Sequence, residues 1–182
     1  VASRFVGGVR CVYGAAMTLL ALSLRGGVEQ LCVVGQSGLA LTRANGGQHW
    51  QVRPSGTQNT LTAVRFTDVQ RGWAVGSGGT IVNTVDGGLS WQAQNSTIEE
   101  RLRGVSFSSD GQQGRAVGEK GTLLMTLDGG LHWVAQDSAH WSTLLAVSFA
   151  DTQKGWAVGR DCHLYQYPSP RGRNRTRMRC ST

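Results

Sequence analysis

Apolar and polar residues alternate along this chain in short runs. Val64 and Phe66 flank Arg65, Val105 and Phe107 flank Ser106, and Val147 and Phe149 flank Ser148. A period of two puts the apolar members on one face of a β-strand, so the pattern predicts strands buried on that face with the polar member turned away. Each run is followed by others of four to six residues, rich in β-branched and aromatic side chains and separated by Gly-rich or Asp-Gly turns. Such spacing predicts antiparallel meanders and an all-β chain.

The runs recur as a set. Leu61-Thr-Ala-Val-Arg-Phe66, Arg71-Gly-Trp-Ala-Val-Gly76, Gly79-Thr-Ile-Val-Asn-Thr84 and Asp86-Gly-Gly-Leu-Ser-Trp91 return as Leu102–Phe107, Gln113–Gly118, Gly121–Thr126 and Asp128–Trp133. The first two pieces return again as Leu144–Phe149 and Lys154–Gly159, and a weaker copy runs upstream from Leu19 to Trp50. Four strands in about 42 residues is the size of a propeller blade. The expected fold is therefore a β-propeller, or a partial propeller arc, of about four four-stranded blades. Blades are expected at 18–59, 60–101, 102–143 and, in part, 144–167. An N-terminal segment, 1–17, precedes them and a basic tail, 168–182, follows.

Each unit closes on a tight turn, Thr84-Val-Asp86-Gly-Gly88-Leu-Ser90-Trp91 in one and Thr126-Leu-Asp128-Gly-Gly130-Leu-His132-Trp133 in the next. Aspartate at the start of such a turn accepts its backbone N–H groups, glycines supply positive φ, and the tryptophan offers a large packing surface. The role expected for these residues is structural, because the turn recurs once per unit. The earliest copy is degenerate, with Arg43 and Asn45 where the hydroxyl residue and aspartate stand elsewhere, although Trp50 is kept.

This phrase fits the Asp-box, or BNR-like, pattern shared by sialidases, sortilin-like receptors and xyloglucan hydrolases. The longer phrase, Leu-x-x-Val-x-Phe, Gly-Trp-Ala-Val-Gly, Gly-Thr-Ile and Thr-x-Asp-Gly-Gly-x-x-Trp, resembles more specifically the photosystem II assembly and stability factors, a family of seven-bladed propellers, over residues 18–160. His132 is a departure from the box. The fourth unit departs further, with Pro168-Ser-Pro170 where its box should be. Three units and part of a fourth cannot close a seven-bladed ring. The alternatives are a piece of a longer protein, an arc completed by another chain, or a small four-bladed ring in which residues 1–17 supply a closing strand, and a piece or an open arc is expected over the closed ring. Arg4 and Arg10 ahead of Ala15–Leu24 have the look of a leader peptide, but Leu19–Leu24 falls in register with the first strands and reads as strand.

Composition changes this picture little. The 182 residues include 26 Gly and 3 Pro, which suits many tight turns. The longest apolar run, Ala15–Leu24, is far short of the roughly 20 residues of a membrane-spanning helix. The net charge of +7 is mostly a tail: Arg171, Arg173, Arg175, Arg177 and Arg179 leave thirteen basic against eleven acidic residues, +2, in residues 1–170. Such a tail suits peripheral contact with anionic lipid. Without interleaved aromatics it does not point to nucleic acid. Cys11, Cys32, Cys162 and Cys180 have no metal-ligand spacing.

No pair of carboxylates, nucleophile–base spacing or phosphate loop stands out, so neither an enzyme nor a cofactor is expected. The rival class is a carbohydrate-active Asp-box propeller, sialidase-like or xyloglucanase-like. Arginines are the better candidates. Arg115 takes the slot of Trp73 and Trp156, placing a guanidinium where sister blades hold an apolar group. With Arg65, Arg71, Arg101 and Arg103 it is expected to form one basic patch across neighbouring blades. The resemblance implies what such a patch would engage: a photosynthetic reaction-centre subunit of a membrane-protein complex. It implies assembly or stabilisation of that complex, or a place as its accessory subunit, on the extracytoplasmic side, in a thylakoid lumen or periplasm.

Overall fold

The computed structural model describes residues 19–25, 30–43, 49–136, 142–149, 154–160, 163–167 and 176–177. These form four antiparallel sheets of four strands, each sheet built from consecutive strands. The first holds β1 (Leu19–Arg25), β2 (Gln30–Gly35), β3 (Ala40–Arg43) and β4 (Gln51–Arg53). In the second are β5 (Leu61–Phe66), β6 (Gly72–Gly76), β7 (Ile81–Thr84) and β8 (Gln92–Gln94). Next come β9 (Leu102–Phe107), β10 (Gly114–Gly118), β11 (Leu123–Thr126) and β12 (Val134–Ala135). The fourth holds β13 (Leu144–Phe149), β14 (Gly155–Gly159), β15 (His163–Tyr167) and β16 (Thr176–Arg177). Its outermost strand lies past the Pro168–Pro170 stretch, inside the segment that the sequence assigns to the tail.

The first strands pack in series, β1 on β5, β5 on β9 and β9 on β13, and so line a common axis. Among the described residues no packing of like extent joins β13 back to β1, and the four blades form an arc. Residues 1–17, Asn45 and most of the tail lie outside the described residues.

The core lies between blades. Cys32, Val34 and Ala40 of the first blade meet Leu61, Val64, Phe66 and Trp91 of the second. At the next seam Trp73, Val75 and Ile81 meet Leu102, Val105, Phe107 and Trp133. There the Trp73 ring stacks on Phe107 at 3.6 Å between centroids and 16° between planes, with Trp133 edge-on to Phe107 at 5.8 Å. Its indole Nε1–H also donates to the Gly129 carbonyl at 3.1 Å. The second strands of the first three blades thus each carry two residues, Trp73 and Val75 in this blade, that the following blade covers.

The predicted alternation holds at Arg65, which is exposed, and fails at Ser106, which is buried. The next blade is the reason: the Phe149 N–H donates to Ser106 Oγ at 3.2 Å, so this polar position is part of a seam.

In the first two blades the turn between the second and third strands seats against the connection into the next blade. Gly38, Gly79 and Gly121 occupy this turn in the first three blades with φ of +67°, +62° and +72°. A Cβ at Gly79 would stand 2.0 Å from the Ile98 carbonyl oxygen, so glycine is required both by the left-handed backbone and by the close approach.

Candidate protein-binding surface

Strands of alternating direction send successive connections to opposite ends of the arc. One end carries the β5–β6 and β7–β8 turns of the second blade, and the other carries the β6–β7 turn and the link into β9. This parity decides which candidate residues can meet.

The Asp-box turns lie at the first end. Thr84 Oγ donates to Asp86 Oδ1 at 2.7 Å and accepts the Gly88 N–H at 2.9 Å. Ser90 donates to the same carboxylate through its N–H, at 3.0 Å, and its hydroxyl, at 2.5 Å. The second box repeats this, with Thr126 Oγ 2.7 Å from Asp128 Oδ1 and the His132 N–H donating to Oδ1 at 3.0 Å. Here His132 Nδ1, 2.7 Å from Oδ2, replaces the serine hydroxyl, so the departure in sequence keeps the geometry.

Burial pushes the Asp86 carboxyl upward, but the donors from Ser90 and Thr84 outweigh it and hold the group at about 2. Hydrogen bonds from His132, backbone first and ring second, hold Asp128 well below the carboxylate range. Both carboxylates are committed to their own turns. Trp91 and Trp133 are buried behind them, and Trp133 Nε1–H donates to Gln94 Oε1 at 3.2 Å.

The five arginines do not form the single patch expected of them. Arg71, at the Asp-box end, donates through Nε to Asp68 Oδ2 at 2.7 Å and through Nη1 to the Asp110 carbonyl of the next blade at 3.4 Å. It ties two blades together. Arg115 is 8% exposed and lies in the seam with the fourth blade, its guanidinium carbon 5.6 Å from the Phe149 ring centroid and its Nη2 3.8 Å from Met125 Sδ. Its cation is met by an aromatic face, and it is no part of an exposed patch.

Arg101 and Arg103 belong to the opposite end. Arg101 is exposed just before β9, and Arg103 Nη2 sits 2.6 Å from Glu119 Oε1. Lys120 and Glu100 pair beside them at 3.4 Å. Arg65 and Arg103 nevertheless share one property, because both lie on the innermost strands of neighbouring blades. In register Arg103 matches Thr62, three positions from Arg65, or about 10 Å along the strand.

The seam contacts of Ser106, Thr62 and Gln94 escape a reading of the sequence. Thr62 Oγ donates to the Leu102 carbonyl at 2.5 Å across the blades. Cys32 is buried, and burial pushes its thiol up to about 12. Among the described residues no three His, Cys, Asp or Glu side chains gather in a metal-binding group, and no helix is long and apolar enough to cross a membrane.

A model of the family described as photosynthesis system II assembly factor YCF48 matches residues 44–138. Comparison with curated proteins gives no match. Among solved structures, YCF48 from Cyanidioschyzon merolae has a TM-score of 0.69 at 20% identity, over 82% of this chain and 50% of its own. A YCF48 bound to D1 peptide has a TM-score of 0.63 at 20% identity, over 86% and 51%. A GH74 enzyme of Niastella koreensis gives 0.66 at 14% identity, over 85% and 29%. At these identities the likeness shows the fold, and the chain spans about half the length of the two YCF48 structures.

Proposed function

We propose, since the chain belongs to the photosystem II assembly factor YCF48 family, that it is a non-enzymatic scaffold that binds a reaction-centre subunit and assists assembly or stability of a photosynthetic complex. The family match over residues 44–138 carries this reading, and a solved YCF48 bound to D1 peptide supports it. The Asp-box carboxylates add support: each is saturated by donors of its own turn and has a lowered pKa, the reverse of what a general acid needs.

The surface proposed for the partner is the inner wall of the arc, where Arg65 and Arg103 present cations at two levels of neighbouring blades. An acidic or C-terminal segment laid along the axis would meet both. Arg71, Arg101 and Arg115 act around this wall, two as interblade ties and one as a solvated charge. The complex is met on the extracytoplasmic side, in a lumen or periplasm, with the arginine tail against anionic lipid.

The test is affinity purification of the tagged native protein from photosynthetic membranes, with mass spectrometry of its companions, beside direct titration with a D1 peptide. Recovery of reaction-centre polypeptides, lost in an Arg65→Glu/Arg103→Glu variant, is the expected result. A protein that purifies without them and hydrolyses glycosides would overturn the reading in favour of the GH74-like class.

A further inference from the structure

Trp91 and Trp133 each pack against the blade before their own, and they find different partners there. Trp133 Nε1–H donates to Gln94 Oε1 at 3.2 Å. Trp91 is 7% exposed, yet its indole N–H is closed off from solvent and has no hydrogen-bond partner. The reason lies one blade upstream. Gln94 stands on the outermost strand of the second blade, opposite Ile81, and the same register position of the first blade, opposite Ala40, is Arg53. Glutamine offers its tryptophan an acceptor, whereas arginine and indole both only donate.

The packing around Gly88 sets Arg53 beside Trp91. Arg53 Nε donates to Thr42 Oγ1 at 3.1 Å. A Cβ at Gly88 would stand 3.1 Å from the Thr42 methyl and 3.6 Å from Trp91 Cζ2, and at the next seam a Cβ at Gly130 would stand 2.6 Å from Gln94 Oε1. Arg53 Nη2 donates to Gln51 Oε1, and among the described residues no carboxylate pairs with this guanidinium. Asp86, in the adjoining turn, is committed to Thr84 and Ser90. A half-buried cation and a buried N–H thus lie at one seam with no acceptor between them. We infer that this seam takes a carboxylate, one oxygen on Trp91 Nε1–H and the other on the Arg53 guanidinium. Bonds from a guanidinium to a carboxylate are among the strong ones, and a buried donor gains most from the acceptor it lacks. Gln51 and Val52 are exposed, so the carboxylate enters from the outer rim, past Arg53. The site lies on outer strands, apart from the inner wall, and does not rest on the proposed partner. A small free acid and an acidic side chain of another protein share this chemistry.

Nuclear magnetic resonance of the isotope-labelled protein tests it, because each of the six tryptophans gives its own indole N–H signal. Sodium acetate should shift the Trp91 signal saturably, with a Kd of about 1–10 mM, and sodium chloride at equal ionic strength should not. Arg53→Gln installs the residue of the sister seam. It should weaken acetate binding about 10-fold or more and move the Trp91 signal toward that of Trp133 before acetate is added. Circular dichroism checks the fold, and Arg53→Lys, which keeps the charge and loses the planar fork, should weaken binding less. A capped peptide with one aspartate separates the sources: binding about 10-fold tighter than acetate assigns the site to a protein carboxylate, and equal or weaker binding to a free acid. A Trp91 signal that acetate leaves in place, that chloride moves equally, or that responds alike in Arg53→Gln would overturn the inference.

Discussion

Trp73 and Trp156 offer a matched experiment, because identical pentapeptides carry them into different surroundings. Replacing Trp73 by alanine removes a side chain that is 3% exposed, stacked on Phe107 and bonded to the Gly129 carbonyl. Such a truncation costs about 3–5 kcal/mol. Trp156 is already 36% exposed. The gap in exposure is about a third of the ~250 Å² that a tryptophan buries, or roughly 2 kcal/mol at ~25 cal/mol per Å². Among the described residues no ring stacks on Trp156 and no carbonyl accepts its indole N–H, which removes a further ~0.5–1 kcal/mol. Trp156→Ala should therefore cost only about 1 kcal/mol. Urea unfolding followed by circular dichroism reads the two as midpoints about 1 M or more apart. Equal losses, within about 0.5 kcal/mol, would refute the claim that the next blade's cover, rather than the local strand, stabilises this residue.

Acid should find the Asp-boxes next. Both carboxyls are held below their unfolded value of 3.8, Asp86 at about 2 and Asp128 lower. Their contribution is present in full above about pH 4 and lost as the pH falls toward 2. Asp128→Asn should flatten that acid limb, which urea midpoints between pH 5 and pH 2 would show. Gly79→Ala sets a methyl 2.0 Å from the Ile98 carbonyl oxygen in a left-handed backbone and should cost about 2–4 kcal/mol. A melting temperature unchanged from wild type would contradict it. The Cys32 peptide should stay unlabelled by a thiol reagent in the folded protein and label on denaturation, as mapped by mass spectrometry.

Repeats made the blades legible. The recurrence of Leu-x-x-Val-x-Phe and Gly-Trp-Ala-Val-Gly locates β5, β9 and β13 and their partners, because four-strand units leave little freedom once period and turns are known. The outermost strand β16 was not legible, since proline and arginine hide a two-residue pairing that only β15 confers. Ser106 reads as an outward polar position because its partner, Phe149, lies 43 residues away. Parity splits the arginine patch: Arg71 follows one strand of its meander and Arg101 follows all four, which sends them to opposite ends. Counting connections would have separated them. The burial of Arg115 depends on a ring in another blade, and no count along the chain reveals it.

Every sheet here is made from neighbouring strands alone, and this bears on how the molecule comes into being. Contacts within a blade span some forty residues at most, so each can form soon after its own segment leaves the ribosome. The seam then joins a new blade to a finished surface, and assembly advances by nearest neighbours, as in other repeat architectures. At each step the most recent blade shows to solvent the kind of face that carries Trp156 and Val158 in the fourth blade. Synthesis thus moves a single sticky front along the growing chain, and the burden on chaperones is set by one blade face rather than by the length of the protein.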